Sequence, residues 1–138
     1  MATKIKYLVD TNIWLELLLN QEKSEVVSEF LTLVPPTQLF VSDFAIHSIG
    51  VILSRLKKLD ALSLFLNDLF INGQIEQTSL EPLDLIDVTN NIKKYNLDFD
   101  DSYQFTVAEK FAMTLVTFDK DFKVVGLKKK TPQEIINK

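Results

Sequence analysis

The chain has no cysteine and a single histidine, and these two scarcities remove whole classes of chemistry. Without thiols there is no disulfide and no thiolate zinc site, and the composition suits a reducing compartment. One histidine, His47, cannot build a histidine-based triad or a multi-histidine metal site. No apolar run approaches the length of a membrane span. Lys4 and Lys6 precede only a short apolar stretch that Asp10 interrupts, so no leader is read and a cytoplasmic protein is expected. A basic excess is missing too. The net charge is −4, which offers RNA no global attraction, so any nucleic-acid contact has to be local. Repeats, low-complexity tracts and linker-like stretches are also absent.

What remains is a chain of 138 residues, 46% hydrophobic with ten phenylalanines, long enough to bury a proper core as one domain over residues 1–138. Its periodicities alternate between short apolar runs and helical stripes. Leu8-Val9, Leu39-Phe40-Val41, Ile75 to Thr78 and Leu115 to Thr117 read as strands. Helices are expected over Ile13–Asn20, over Ser24–Leu33 until Pro35-Pro36 breaks it, and from a Ser42 or Asp43 cap to about Lys58. Further helices are expected from an Asp60 cap through Phe70, from Pro82 in a first turn to about Tyr95, and from Asp100 to Met113. Thr131-Pro132-Gln133-Glu134 has capping-box spacing with proline at the first helical position, so Thr131–Asn137 is read as a short terminal helix. Strands separated by helices predict an α/β fold of three layers, a short central parallel sheet covered by helices on both faces.

The acidic residues fall at telling places on that scaffold. Tyr7-Leu8-Val9-Asp10-Thr11-Asn12 is a buried strand that ends on a carboxylate and turns at once into a helix. Leu115-Val116-Thr117 runs into Phe118-Asp119-Lys120-Asp121, and Asp98, Asp100 and Asp101 stand before and within the start of another helix. The carboxyl ends of parallel strands are where α/β folds place their chemistry. For Asp10 the plainer alternative is a helix N-cap. Several carboxylates drawn together repel, which raises their pKa values or recruits a cation. Oxygen donors suit Mg²⁺ or Mn²⁺, and such ions serve phosphodiester hydrolysis by activating water and stabilising charge on oxygen.

Taken together, Val9-Asp10-Thr11-Asn12, the stretch Asp101 to Ala108 and Val116-Thr117-Phe118-Asp119-Lys120-Asp121-Phe122 resemble the PIN-domain family, similar to VapC-type toxin ribonucleases. The likeness covers nearly the whole chain in order. It implies a PIN-like fold and a metal-dependent endoribonuclease with Mg²⁺ or Mn²⁺, acting as the toxin of a toxin–antitoxin pair. Asp10, Asp101 and Asp119 then stand at the positions of catalytic, metal-holding carboxylates. Asp100 competes with Asp101 for its role, and Asp121 adds a further carboxylate. The partners implied are an RNA substrate, a small antitoxin and a second copy of the chain. One departure stands out. The family pattern carries a glutamate on the helix after the second strand, and the register here puts Ser48 in that place, without a negative charge. Asp43 lies about 140° and His47 about 100° away around an ideal helix.

The other conspicuous residues have plainer readings. Trp14 is read as core rather than as a stacking platform for RNA, and Phe105 as core. Tyr103 stays open between lining the site and packing the core, and His47 is read as helix-packed or hydrogen-bonded. Lys128-Lys129-Lys130 reads as a solvated loop, with phosphate contact the alternative. Asp98 reads as a turn or cap. Two further functions compete with the nuclease. One is a PIN-like domain that binds RNA or protein with weakened or no cleavage, which Ser48 favours. The other is a receiver-like signalling domain, which fits poorly because Thr11-Asn12, and not a second acid, follows Asp10.

Overall fold

The computed structural model describes residues 4–120 and 126–137. Strand β1 (Tyr7–Val9) is the central strand of a five-stranded sheet ordered β3-β2-β1-β4-β5, with every pairing parallel. Its neighbours are β2 (Leu39–Ser42) and β4 (Thr114–Val116), while β3 (Glu76–Thr78) and β5 (Lys129–Lys130) form the edges. Successive strand side chains point to opposite faces, and the core divides accordingly. Tyr7, Val9, Leu39, Val41 and Val116 join one apolar cluster, and Leu8, Phe40 and Leu115 join the other.

Five helices cover the first face: α1 (Thr11–Leu18), α2 (Ser24–Leu33), α3 (Asp43–Arg55), α4 (Leu59–Asn67) and α7 (Pro132–Ile136). They contribute Ile13, Trp14, Phe30, Ile49, Phe65 and Ile135 to that cluster. On the opposite face α5 (Asp84–Tyr95) packs against α6 (Phe99–Lys110) and supplies Val88, Tyr103, Phe105 and Val107. The expected three-layer α/β architecture is what the chain forms. Trp14 is core, with its indole N–H donating to the Val9 carbonyl and its ring edge-on to Phe65.

Several local expectations need correction. Asp60 is not the cap of α4, whose N-cap is Lys58 with no side-chain hydrogen bond. The helix then runs into a π-helical turn over Asp68–Asn72 before Gly73. Pro82 sits ahead of α5 and not in its first turn. Lys129 and Lys130 are half-buried in β5 and not in a solvated loop. Two lysines carry almost no strand signal, and register beside β4 decides their state. The terminal capping box forms as expected, Thr131 Oγ1 accepting from the Glu134 N–H and Glu134 accepting from the Thr131 N–H.

Candidate metal centre

The β1 strand delivers Asp10 to the carboxyl edge of the sheet, beside the end of β4, where the Asp10 N–H donates to the Val116 carbonyl. Asp10 caps α1, accepting from the Thr11 N–H at 2.8 Å, so the plain reading is correct as far as it goes. The same carboxylate does more. Its Oδ1 also accepts from the Gln104 amide at 3.0 Å, and its Oδ2 from the Thr117 hydroxyl at 2.9 Å. Gln104 is itself held by Ser42, which donates to Oε1 at 2.7 Å and caps α3 by accepting from the Ala45 N–H. Thr117 Oγ1 accepts from the Asn12 amide and from the Asp119 N–H, and Asn12 in turn accepts from the Phe118 N–H. Four segments are thereby tied to one carboxylate.

Around it lies a cleft of about 300 Å³ whose walls include Asp10, Asp100, Asp101 and Asp119, with Ser48 and Gln104 beside them. None of the described residues lining it is basic. Asp101, in the first turn of α6 whose N-cap is Asp98, is pushed up to about 7. Burial is the largest cause, followed by the charges of Asp98, Asp119, Asp10 and Asp100. Asp10 is likewise raised, chiefly by burial, although its hydrogen bonds from Gln104, Thr117 and Thr11 pull the other way. Asp10 and Asp101 ionise against burial and the field of neighbouring acids, and an added cation would relieve that directly.

Three of the expected acids, Asp10, Asp101 and Asp119, thus share one cleft, and Asp100 lies there with them. Asp121 falls outside the described residues. Ser48 also faces the cleft, as the register reading requires. His47 is exposed and lies away from the walls, so it is not the packed residue the sequence suggested. Asp43 turns elsewhere, its Oδ1 accepting from the Phe44 N–H and from the Tyr103 hydroxyl. Tyr103 is buried and belongs to the core. Ser42 is the α3 cap the sequence offered, but its hold on Gln104, and any role at the site for Gln104, Thr117 and Asn12, were not read from sequence. The only signal was that each sits inside or beside an acidic motif.

The donor chemistry fits a hard divalent cation, since all the ligating groups in the cleft are oxygens. Among the described residues no three acids are placed to hold one ion together. The site therefore suits an ion held by one or two carboxylates with water and phosphate oxygens completing the shell, as Mg²⁺ commonly is.

Comparison with known proteins identifies the family and the fold. The sequence matches the PIN domain over residues 7–128. The chain belongs to the PIN-domain family. No curated protein matches it in sequence. Among solved structures, it resembles the Mycobacterium tuberculosis VapC20, a sarcin-ricin-loop-cleaving toxin, with a TM-score of 0.75 at 16% identity, covering 88% of this chain and 96% of that one. A toxin–antitoxin complex from Klebsiella pneumoniae gives a TM-score of 0.74 at 19% identity, over 92% of this chain and 98% of that one. VapBC2 from Rickettsia felis, solved with a promoter DNA fragment, gives 0.73 at 18%, over 92% and 98%. At such identities the likeness is one of fold. No described helix of this PIN domain is long and apolar enough to cross a membrane.

Proposed function

We propose that this PIN domain is a Mg²⁺- or Mn²⁺-dependent endoribonuclease of the toxin type, hydrolysing RNA phosphodiester bonds. The observation that carries the reading is the convergence of Asp10, Asp100, Asp101 and Asp119 from separate segments into one cleft at the carboxyl edge of the sheet. Asp10 would hold the ion together with Asp101 or Asp119, and Asp121 is the further candidate. When bound, the ion supplies an activated water and a Lewis acid for the phosphate.

The chain's own groups do the rest. Gln104 and Thr117 fix the Asp10 carboxylate from both oxygens, so its direction is set before any ligand arrives. Asp101 shares the cleft with Asp10 and would hold the ion or orient the water that the ion activates. Asp100, also in the cleft, competes with Asp101 for its place as a metal-site carboxylate. A small antitoxin and a second copy of the chain are the proposed protein partners, and exposed Leu64, Ile71, Leu83 and Ile86 offer apolar surface for them.

A second reading, an RNA- or protein-binding domain with little cleavage, draws on Ser48. It faces the cleft where the family pattern has a glutamate, so one anionic ligand is missing. Cleavage of a labelled single-stranded RNA, with Mn²⁺ or Mg²⁺ titrated from zero, separates the two. The nuclease reading requires metal-dependent cleavage that Asp10→Asn removes for the most part. Asn keeps one oxygen for the Thr11 and Gln104 donors, which share Oδ1, and sets its amide against the Thr117 hydroxyl, while burying no charge. These effects oppose each other, and the fold should survive. Equal cleavage by both proteins would assign the activity to a contaminant or another site.

A further inference from the structure

An RNA-cleaving cleft walled by acids in a protein of net charge −4 has an affinity problem. Binding of nucleic acid ordinarily draws much of its free energy from phosphate contacts to lysine and arginine. Here none of the described cleft-lining residues supplies that. Lys129 reaches the edge of that wall, its Nζ donating to the Asp119 carbonyl at 3.2 Å, and a contact that needs no charge would add to what one lysine gives.

One wall of the cleft carries the first of three clustered aromatic rings. Phe44, half-buried in the first turn of α3, lines the cleft itself. Behind it, Tyr103 stacks on Phe44 with ring centroids 5.1 Å apart and planes 29° from parallel. Tyr103 is locked in place, since its hydroxyl donates to Asp43 and accepts from the Leu80 N–H. In front is Phe99, the first residue of α6, 6.1 Å from Phe44 and 6.3 Å from Tyr103, and tilted only 43° and 35° to them. Phe99 is 49% exposed, although it immediately precedes Asp100 and Asp101. A ring left half in water beside half-buried Phe44 and buried Tyr103 keeps apolar area that a ligand could cover. Phe99 reaches the cleft through its contact with Phe44 and through Asp100, the next residue, both of which line it.

We propose that Phe99 and Phe44 form a stacking subsite for a nucleobase of single-stranded RNA flanking the scissile phosphate. The inference rests on the reading of the cleft as an RNA site, and it names how that site holds its substrate. Aromatic stacking tolerates every base, because each has a π-face, and it gains nothing from net protein charge. The subsite therefore binds single strands in preference to duplexes, whose bases are already stacked. Its affinity depends weakly on salt.

Fluorescence anisotropy of a labelled uridine hexanucleotide and an adenine hexanucleotide, with EDTA present to stop cleavage, tests this. Phe99→Ala should weaken binding about 5-fold to about 100-fold, the range for losing one stacked base. Phe99→Leu should weaken it comparably, because it keeps apolar bulk and loses the ring, whereas Phe99→Trp should restore or tighten it. The exposed position makes all three variants foldable, and circular dichroism checks that they fold. An oligonucleotide of abasic sugars should bind wild type and Phe99→Ala alike. A plot of log affinity against log salt should be shallow, with a slope of magnitude below about 1.

The outcomes separate the two readings. Phe99-dependent binding with no metal-dependent cleavage keeps the subsite and overturns the nuclease. Cleavage with unchanged KM and unchanged binding in Phe99→Ala and Phe99→Leu overturns the subsite and keeps the nuclease. No binding and no cleavage by wild type overturns both.

Discussion

Replacing Asp101 with asparagine should make the metal-free protein more stable at pH 8 but not at pH 4. The folded Asp101 titrates at about 7 against an ordinary value of 3.8, first because it is half-buried and then because Asp98, Asp119, Asp10 and Asp100 repel its charge. Between those two pH values the folded protein binds more protons than the unfolded chain. Wild-type stability therefore falls as pH rises through that window, and the loss is complete above about pH 7. At about 1.4 kcal/mol per pH unit, the ceiling on the loss is about 4 kcal/mol. Asp101 is only half-buried, so water and salt screen much of the repulsion and about 1–2 kcal/mol is the realistic size. Asparagine does not titrate and escapes the penalty. Urea melts followed by the fluorescence of Trp14, the sole tryptophan and fully buried, report the difference at pH 4, 6 and 8 with EDTA present. The variant's advantage should be near zero at pH 4 and reach its full value at pH 8. Saturating Mn²⁺ should shrink or reverse it, because the ion stabilises the form with the carboxylate. A pH-independent difference, or a variant less stable at pH 8, would refute the account of the cluster as a site of unrelieved like charge.

Three other substitutions probe the same architecture. Ser48→Glu should lower the metal-free melting temperature near neutral pH and enlarge the Mn²⁺-induced rise relative to wild type, since it adds both repulsion and a ligand; an unchanged rise would place residue 48 outside the ion's reach. Gln104→Leu strips one donor from Asp10 and one acceptor from Ser42, so it should cost about 1–3 kcal/mol in urea melts and about 10-fold to about 100-fold in Mn²⁺ affinity by calorimetry. Loss of stability with unaltered metal affinity would make Gln104 purely structural. Gly73→Ala would set a Cβ 2.5 Å from the Asp68 carbonyl oxygen and should destabilise by about 1–3 kcal/mol without changing cleavage, as melts and rate assays on one preparation will show.

Much of the fold was readable because its signals are local. A strand such as Tyr7–Val9 is announced by its apolar run and by the turn residues after Asp10, and the terminal helix by four residues of capping chemistry. What escaped was either too short or too distant. Strand β5 is two lysines, and only hydrogen bonds to β4 make it a strand. Gln104 reaches Asp10 across 94 positions and Thr117 reaches it across 107, so no window of sequence contains either pair. The acids were found since charge at a strand end is conspicuous by itself. The neutral side chains that aim them look like ordinary helix and strand polar residues until the sheet closes. Aromatic residues misdirect in the same way. Trp14, four positions beyond Asp10, is sealed in the core, whereas Phe99 is half in solvent beside the acids.

The two readings of Asp10, helix cap and site carboxylate, differ in what they can explain. A cap needs one acceptor for one N–H, and serine, threonine or asparagine supplies it for a gain of about 1 kcal/mol. None of those carries a charge into the interior. Asp10 is buried and its pKa is raised, so keeping it ionised works against burial and against Asp119. The Gln104 and Thr117 donors lower that cost without removing it, as the direction of the shift records. They are also arranged one on each oxygen, which fixes the plane of the carboxylate, a refinement that capping does not require. Helix capping therefore accounts for an oxygen at position 10 and leaves the charge, its burial and its bracing unexplained. A ligand that rewards a fixed negative charge accounts for all three.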